Sequence, residues 1–515
     1  MSEERKTASL NRAKPYQLVL FPMNNGATNV YYILTMNFIA YYANGVLGLA
    51  LMFATTMVTV MRLFDAVTDP IIGALIDRTS TKFGKFRPYM VLGNGIMIAS
   101  SLLLYFGARI VPDDLMWLRY TSFVLFYALY VIGYTFQTAC TRSGQTCLTN
   151  DPKQRPLFTV FNTIASLIGM GLVQFLAPIL SERFGGYNSA AFFDVMIPLA
   201  IIVSAVLTLL AVIGIAEKDR PEYFGVGGEQ QKVPVREYVA ILRANKELQR
   251  LMVAGAGCKL AFSIATNMTV LCMLYGAMMG NYGGLYLPMM ILGYVFSVPF
   301  FLLTVRTSQK HGQKASLVRY TWLAFVMYIG VLALLLFWKQ GEAAFNLSLF
   351  PINLYSVLFI ICFGIGYGAY YATADMPIPM VADCSDYETY RSGRYIPGIM
   401  GTLFSLVDKL VSSLGSTIVG AAVAMIGIQT LPDGNTPYAE GMHGVVIVLF
   451  CVVPMLAWAA TLLAMRRYSL TGARMKEIQA VNAARKHAIA EGMTLEQAME
   501  TYKEAEDVPE EFKEA

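Results

Sequence analysis

Residues 61–78, MRLFDAVTDPIIGALIDR, set Arg62, Asp65 and Asp69 inside a long apolar run. Hydrocarbon tolerates such charges only where a helix turns them toward protein or water, so the stretch reads as a bilayer-spanning helix with a functional inner face. Working outward, apolar runs lie near 17–42, 46–76, 88–108, 118–148, 157–180 and 192–216. They resume near 251–278, 284–305, 316–338, 350–380, 397–427 and 442–465. Each suits a spanning helix of about 20 residues and is too long for a barrel strand. The expected fold class is an all-α polytopic membrane protein, with twelve transmembrane helices in two six-helix halves. Its expected segments are an N-terminal half 1–216, a central linker 217–250, a C-terminal half 251–466 and a tail 467–515.

Composition agrees. Of 515 residues 56% are hydrophobic and 14% charged, against roughly 25% charged in soluble domains. That excludes an ordinary soluble enzyme and a disordered chain. The net charge of +5 is too small to argue nucleic-acid binding. The seven cysteines lie mostly in apolar runs with no CxxC spacing, and read as reduced core residues. His311, His443 and His487 are too dispersed for a metal cluster. The polar start MSEERKTASLNRAKPYQ lacks the apolar region of a cleavable signal peptide.

With both termini placed in the cytoplasm, 31 of the 39 Lys and Arg fall on cytoplasmic segments and 4 on outer loops. The positive-inside rule favours this orientation, in a plasma (inner) membrane. A weak repeat supports two halves: DRTSTKFGKFRPY (77–89) and RTSQKHGQKASLVRY (306–320) occupy the same place in each six-helix unit. In the tail, Thr494 and Gln497 have capping-box spacing.

Asp65 and Asp69 are i,i+4 neighbours on one helix face, with Arg62 a turn earlier and Thr68 beside them. Two such carboxylates either chelate a hard cation such as Na⁺ with nearby hydroxyl and carbonyl oxygens, or share a proton. One Arg neutralises only one of them, so the pair reads as a coupling-ion site rather than a structural ion-pair knot. Lys409, beside Asp408 in GTLFSLVDKLVSSLG (401–415), is a candidate positive partner for those acids. The fourth run is unusually polar, with Thr135, Gln137, Thr138, Thr141, Ser143 and Gln145 around Arg142. Arg142 either grips an anionic substrate in a two-point fork or pairs with an acid such as Asp375. Asp375 stands before Pro377 and Pro379, which are expected to break their helix. Lys259 is expected to snorkel to the interface. GIGYG (364–368) and GNYGG (280–284) are not followed by GKS or GKT, so neither is a phosphate loop.

Residues 61–93, MRLFDAVTDPIIGALIDRTSTKFGKFRPYMVLG, resemble the helix two–three signature of the glycoside–pentoside–hexuronide:cation symporters. These are the melibiose permease group of the major facilitator superfamily. Residues 381–415, VADCSDYETYRSGRYIPGIMGTLFSLVDKLVSSLG, resemble the same family's helix ten–eleven region. LTNDPKQRPLF (148–158) and YSLTGARMKEI (468–478) match more loosely. The resemblance implies a major facilitator fold, alternating access and sugar uptake coupled to Na⁺, Li⁺ or H⁺. It places Asp65 and Asp69 on the family's cation-site acids, Thr135 on a cation-site Thr, Arg62 on its Arg and Lys409 on its helix-eleven Lys. Thr68 falls where melibiose permease has an Asn that helps bind Na⁺.

The sugar pocket departs from that pattern. Asn29 and Thr138 stand where the family's two sugar-binding Asp lie, and Arg142 where it has an aromatic platform. Two acids lost and one Arg gained point to an acidic or polar glycoside such as a hexuronide, with Asp375 and Asp408 as further substrate-side candidates. The expected partners are this small molecule, a coupling cation and membrane lipid, with no nucleic acid, no cofactor, no enzymatic activity and a monomeric state. Competing readings are a lysolipid carrier of the same superfamily, which the polar fourth helix disfavours, and a non-transport membrane sensor signalling through the tail.

Overall fold

The computed structural model describes residues 12–79, 81–149, 154–220, 235–338, 354–393, 396–509 and 512. Most of the expected linker (221–234), residues 150–153 and residues 339–353 lie outside the described residues. Within the described residues the regular structure is helical, with only one isolated bridge, Thr81 to Gly84.

The membrane helices are α1 Met23–Ile33, α2 Leu51–Arg78, α3 Arg87–Tyr105, α4 Met116–Leu148, α5 Gln154–Arg183 and α6 Ala190–Ile215. They continue as α7 Lys246–Ala265, α8 Tyr282–His311, α9 Gln313–Leu336, α10 Leu354–Thr373, α11 Pro377–Ser392, α12 Pro397–Met425 and α13 Val453–Arg467. After them come α14 Gly472–Ala490 and α15 Leu495–Thr501. Among the described residues ten helices are long and apolar enough to cross a membrane, α10 and α11 together counting as one. An eleventh is the pair Lys246–Ala265 and Met268–Met278, bent by 45°. The first expected span follows α1 through π turns at Leu34–Phe38 and Tyr42–Val46, so helical winding runs unbroken over 23–46.

The chain is a multi-pass membrane protein, and α2 shows how its helices divide their faces. Val60, Leu63, Val67, Ile71 and Leu75 are exposed at i, i+3 and i+4 steps. Val58, Met61, Asp65, Thr68 and Ile72 are buried on the other side. The polarity is inverted relative to a soluble helix because the outer solvent is hydrocarbon, so charge belongs inside. Pro70 within α2 does not end it.

By backbone contacts the chain forms two compact units. One holds residues 1–229 and 416–437, the other 230–415 and 438–515. In the first, α1 and α5 touch backbone to backbone: a Cβ on Gly169 would lie 2.1 Å from the Gly26 carbonyl oxygen. Small residues let membrane helices approach this closely and gain dispersion contacts.

Each of the two loops compared in the sequence is tied to chain that has just left a later helix of its own unit, though by different contacts. In the first loop, Gly84 takes φ 101° and the buried Asp219 carboxylate accepts backbone N–H bonds from Lys85, Phe86 and Arg87 at 2.8–3.1 Å. It thereby caps α3 with the chain leaving α6. In the second, Gly312 takes φ 85° before α9, and Lys314 Nζ donates to the carbonyl of Tyr468, just past α13. Asp219→Ala leaves three N–H donors unmet, that of Phe86 buried and those of Lys85 and Arg87 part-buried, and is expected to cost about 2–4 kcal/mol. The unfolding midpoint of the purified protein in detergent should fall by several degrees; an unchanged midpoint contradicts this capping role.

The tail folds onto its own unit. Arg485 donates to the carbonyls of Tyr390 and Tyr502, and Asn482 to that of Asp386, which fastens α14 to α11. The expected capping box forms: Gln497 N–H donates to Thr494 Oγ1 at 3.3 Å and Thr494 N–H to Gln497 Oε1 at 3.0 Å.

Candidate cation and substrate site

In the first unit α2 and α4 bring Arg62, Asp65, Thr68, Asp69, Thr135 and Arg142 together. The Asp65 side chain is 1% exposed, and both its oxygens are engaged. Arg62 Nη1 donates to Oδ2 at 3.1 Å, and Thr135 Oγ1 donates to Oδ1 at 2.9 Å. The Thr68 hydroxyl lies 3.2 Å from that of Thr135 and 3.1 Å from the Asp65 carbonyl. Four oxygen groups from two helices thus converge, and hard cations prefer oxygen ligands.

Asp69, one turn further along α2, differs. Its side chain is 25% exposed, and Arg142 Nη1 from α4 stands 3.7 Å from its Oδ2. Arg142 is itself 64% exposed. Asp65 is therefore buried and held by Arg62 and Thr135, while Asp69 is partly exposed and has the Arg142 guanidinium 3.7 Å away.

The arginine of the first pair is itself held by aromatic rings. The Arg62 guanidinium lies over Tyr32 at 5.3 Å, and Tyr32 stacks with Tyr134 at 6.4 Å. Beside them is a cavity of about 20 Å³ lined by Tyr32, Thr35, Arg62, Asp65, Tyr127 and Tyr134 among others. That volume suits a single water. Arg62 Nε and Tyr127 Oη are buried there without a protein hydrogen-bond partner.

Asn29 lies on α1, where its amide donates to the Asn25 carbonyl at 2.8 Å and to Asn25 Oδ1 at 3.0 Å. Asn25 in turn donates to the Asn162 carbonyl on α5. Thr138 donates back to the Thr135 carbonyl at 3.1 Å, as helical threonines do when not otherwise committed.

The second unit holds a separate charge cluster, which corrects two expectations. Asp375 is not Arg142's partner; it accepts from Lys259 Nζ on α7. Lys259 does not snorkel: it is 19% exposed and lies between Asp375 and Asp408, the latter at 3.9 Å. Two carboxylates hold the ammonium more favourably than a reach to solvent, because they come from the α10–α11 turn and from α12 on either side of it. The Pro377 break is present, with α10 ending at Thr373 and α11 starting at Pro377. Pro379 opens no second break, since the first helical turn needs no N–H there. Asp408 and Lys409 diverge on α12, with Lys409 buried.

Sequence reasoning missed Lys259 as a cluster member, and missed Tyr32, Tyr134 and Asn25. The aromatics look like any core residue in an apolar run. The run MNNGATN (23–29) did carry a signal, three amides within one helix.

A family model described as MFS/sugar transport protein matches residues 21–472. The chain belongs to this family. This family member is 25% identical over 462 residues to the putative glycoside/cation symporter YagG of Escherichia coli strain K12, covering 89% of the chain and 92% of the relative. It is 23% identical to the glucuronide carrier protein homolog of the same organism, over 90% of the chain and 94% of the relative. The expected resemblance to the glycoside–pentoside–hexuronide:cation symporters is therefore met across the chain. Among solved structures it is similar to a bacterial homolog of the human lysosomal transporter Spinster in an inward-facing conformation, with TM-score 0.61 at 14% identity, covering 88% of the chain and 98% of that structure. The nucleoside transporter NupG aligns with TM-score 0.56 at 14% identity, over 88% and 100% of the two chains. These structural likenesses concern the fold alone.

Proposed function

We propose that this protein is a secondary active symporter that takes up a sugar or glycoside together with a cation, Na⁺ or H⁺, by alternating access. The observation that carries the reading is the oxygen cluster of Asp65, Thr68 and Thr135 with the partly exposed Asp69 one turn away. A cation arriving there gains Asp69 and the hydroxyls as ligands, while Arg62 keeps Asp65 oriented. The full-length relatives named as a glycoside/cation symporter and a glucuronide carrier homolog support it. Binding of ion and sugar together favours the occluded state through which both cross, so uptake runs on the ion gradient, about 2.3 kcal/mol per charge per 100 mV. The chain is assigned to the plasma (inner) membrane with both termini cytoplasmic, from the Lys and Arg distribution.

The substrate is a glycoside of acidic class. Arg142 supplies a fork for its carboxylate, while Asn29 and Thr138 serve hydroxyl groups. Asp375 and Asp408, held by Lys259, are the candidate acceptors on the second unit. Uptake by proteoliposomes, measured for a panel of neutral glycosides and hexuronides under imposed Na⁺ and pH gradients, tests this. The wild type should accumulate a hexuronide, and Arg142→Ala should lower that uptake about 10–100-fold, the worth of a charge-assisted hydrogen-bond pair. Uptake of neutral glycosides alone would remove the acidic-substrate assignment and leave the symporter; no gradient-driven sugar uptake would remove both.

A further inference from the structure

We propose that a cleft in the second unit, between the α8–α9 turn and the α13–α14 junction, holds the headgroup of an amine-bearing phospholipid, with the phosphate on Lys314 and Arg319 and the ammonium on Asp383. The inference stands apart from the sugar and cation sites and does not need the symport reading.

The cleft measures about 540 Å³ and is lined by His311, Gln313, Lys314, Arg319, Asp383 and Thr471 among others. That is room for a small polar molecule. Two helix starts meet at it. α9 begins after Gly312 and α14 after Thr471, and a Cβ on Gly312 would lie 4.0 Å from the Gly472 backbone nitrogen. No N-cap side chain closes either start. First-turn N–H groups and the positive ends of the two helix dipoles favour an anion there. The side chains add to this. Lys314 gives one of its three donors to the Tyr468 carbonyl, and Arg319 is exposed at the cleft. A guanidinium fork suits two phosphate oxygens.

Basic residues alone would suit any anion, and Asp383 narrows the choice. Among the described residues no salt bridge joins Asp383 to His311, Lys314 or Arg319, although all four line the same cleft. Gln313 Oε1 is buried without a hydrogen-bond partner among the described residues. A cleft that presents both signs of charge without pairing them fits a ligand that carries both. In a phosphate with an ammonium a few bonds away each charge meets its opposite, and the ammonium N–H groups supply donors for Asp383 and Gln313. Inorganic phosphate would instead be repelled by Asp383.

The surface beside the cleft shows the source of such a ligand. Ala315, Arg319, Trp322, Val326 and Ile329 follow at i, i+4, i+7, i+11 and i+14 on α9 and are all exposed, Trp322 at 51%. Arg319 thus heads a lipid-facing stripe, with Trp322, a side chain typical of the membrane interface, one turn further along. Acyl chains laid along Trp322, Val326 and Ile329 bring their headgroup to Arg319 at the cleft. A soluble phosphate compound gains nothing from that stripe.

The test uses the purified full chain in detergent, with bound lipid counted by native mass spectrometry. Phosphatidylethanolamine, its N,N-dimethyl derivative, phosphatidylcholine and phosphatidylglycerol are titrated separately. Wild type should bind one phosphatidylethanolamine about tenfold or more tighter than phosphatidylcholine, with the dimethyl lipid between them, because methylation removes the donors for Asp383 and Gln313. This series is read on wild type, so it decides whether or not a variant folds. Asp383→Asn should lose the preference and bind phosphatidylglycerol more tightly than wild type does. Arg319→Gln should weaken all four lipids about tenfold. Equal wild-type affinity for phosphatidylethanolamine and phosphatidylcholine overturns the assignment, as does an Asp383→Asn protein that keeps the preference. Free glycerophosphoethanolamine that binds as tightly as the lipid would make the ligand a soluble one, and overturns the lipid assignment too.

Discussion

Asp65→Asn is expected to abolish cation-driven accumulation, lowering it at least about 100-fold, and to destabilise the protein at the same time. The two effects have separate origins. Asp65 is the acceptor for Thr135 and the counter-charge for Arg62, and it is 1% exposed. Replacing it with an amide leaves Arg62 buried and uncompensated, at a cost of about 3–5 kcal/mol. It also turns the anionic carboxylate beside the hydroxyls of Thr68 and Thr135 into a neutral amide with a single oxygen, a far weaker cation ligand. The double variant Arg62→Gln/Asp65→Asn separates them. Deleting both charges should restore most of the lost stability, because no unpaired ion remains, whereas accumulation should stay absent. Thermal unfolding in detergent and uptake in proteoliposomes read the two quantities independently. Recovery of transport in the double variant would show that Asp65 serves only to hold Arg62.

Lys259→Ala carries the second large effect. Lys259 lies between Asp375 and Asp408, and its removal leaves two carboxylates facing each other across the α10–α11 turn and α12. Like charges held together without the ammonium destabilise the unit by about 2–4 kcal/mol, reduced somewhat because Asp375 is largely exposed. The turn at residues 374–376 separates α10 from α11, so loss of its anchor should also loosen the carboxylates proposed to meet the sugar. Substrate affinity should fall about tenfold, with a smaller effect on maximal uptake. Lys259→Ala/Asp408→Ala should regain much of the stability. Equal destabilisation in the single and double variants would mean that Lys259 acts by packing rather than by charge.

Much of this organisation was legible in the sequence. The lipid-facing stripe of Val60, Leu63, Val67 and Ile71 and the inward Asp65 follow from helical periodicity together with the cost of charge in hydrocarbon. The convergence of Asp65 with Thr135 was reached through the family resemblance, since nothing local to either residue states that α2 and α4 touch. Which acid each base would choose was beyond sequence. Arg142 could be paired on paper with Asp375, and only the packing of α4 against α2 decides for Asp69. Lys259 illustrates the same point. Its position near the end of an apolar run is the ordinary setting for snorkelling, and it is held inside by two acids far away in the chain. The winding of 23–46 through π turns is likewise invisible to an apolar count, because a π turn changes register without changing hydropathy.

The central claim is that the Asp69 carboxylate, next to the Asp65 cluster, couples an ion gradient to sugar movement. Sugar accumulation in proteoliposomes with an imposed inward Na⁺ or pH gradient, wild type against Asp69→Asn, addresses it most directly when sugar exchange at equal concentrations is measured in parallel. The account predicts that wild type concentrates the sugar above the outside level. It predicts that Asp69→Asn still exchanges sugar but never concentrates it. Accumulation by Asp69→Asn to the wild-type level would contradict the account.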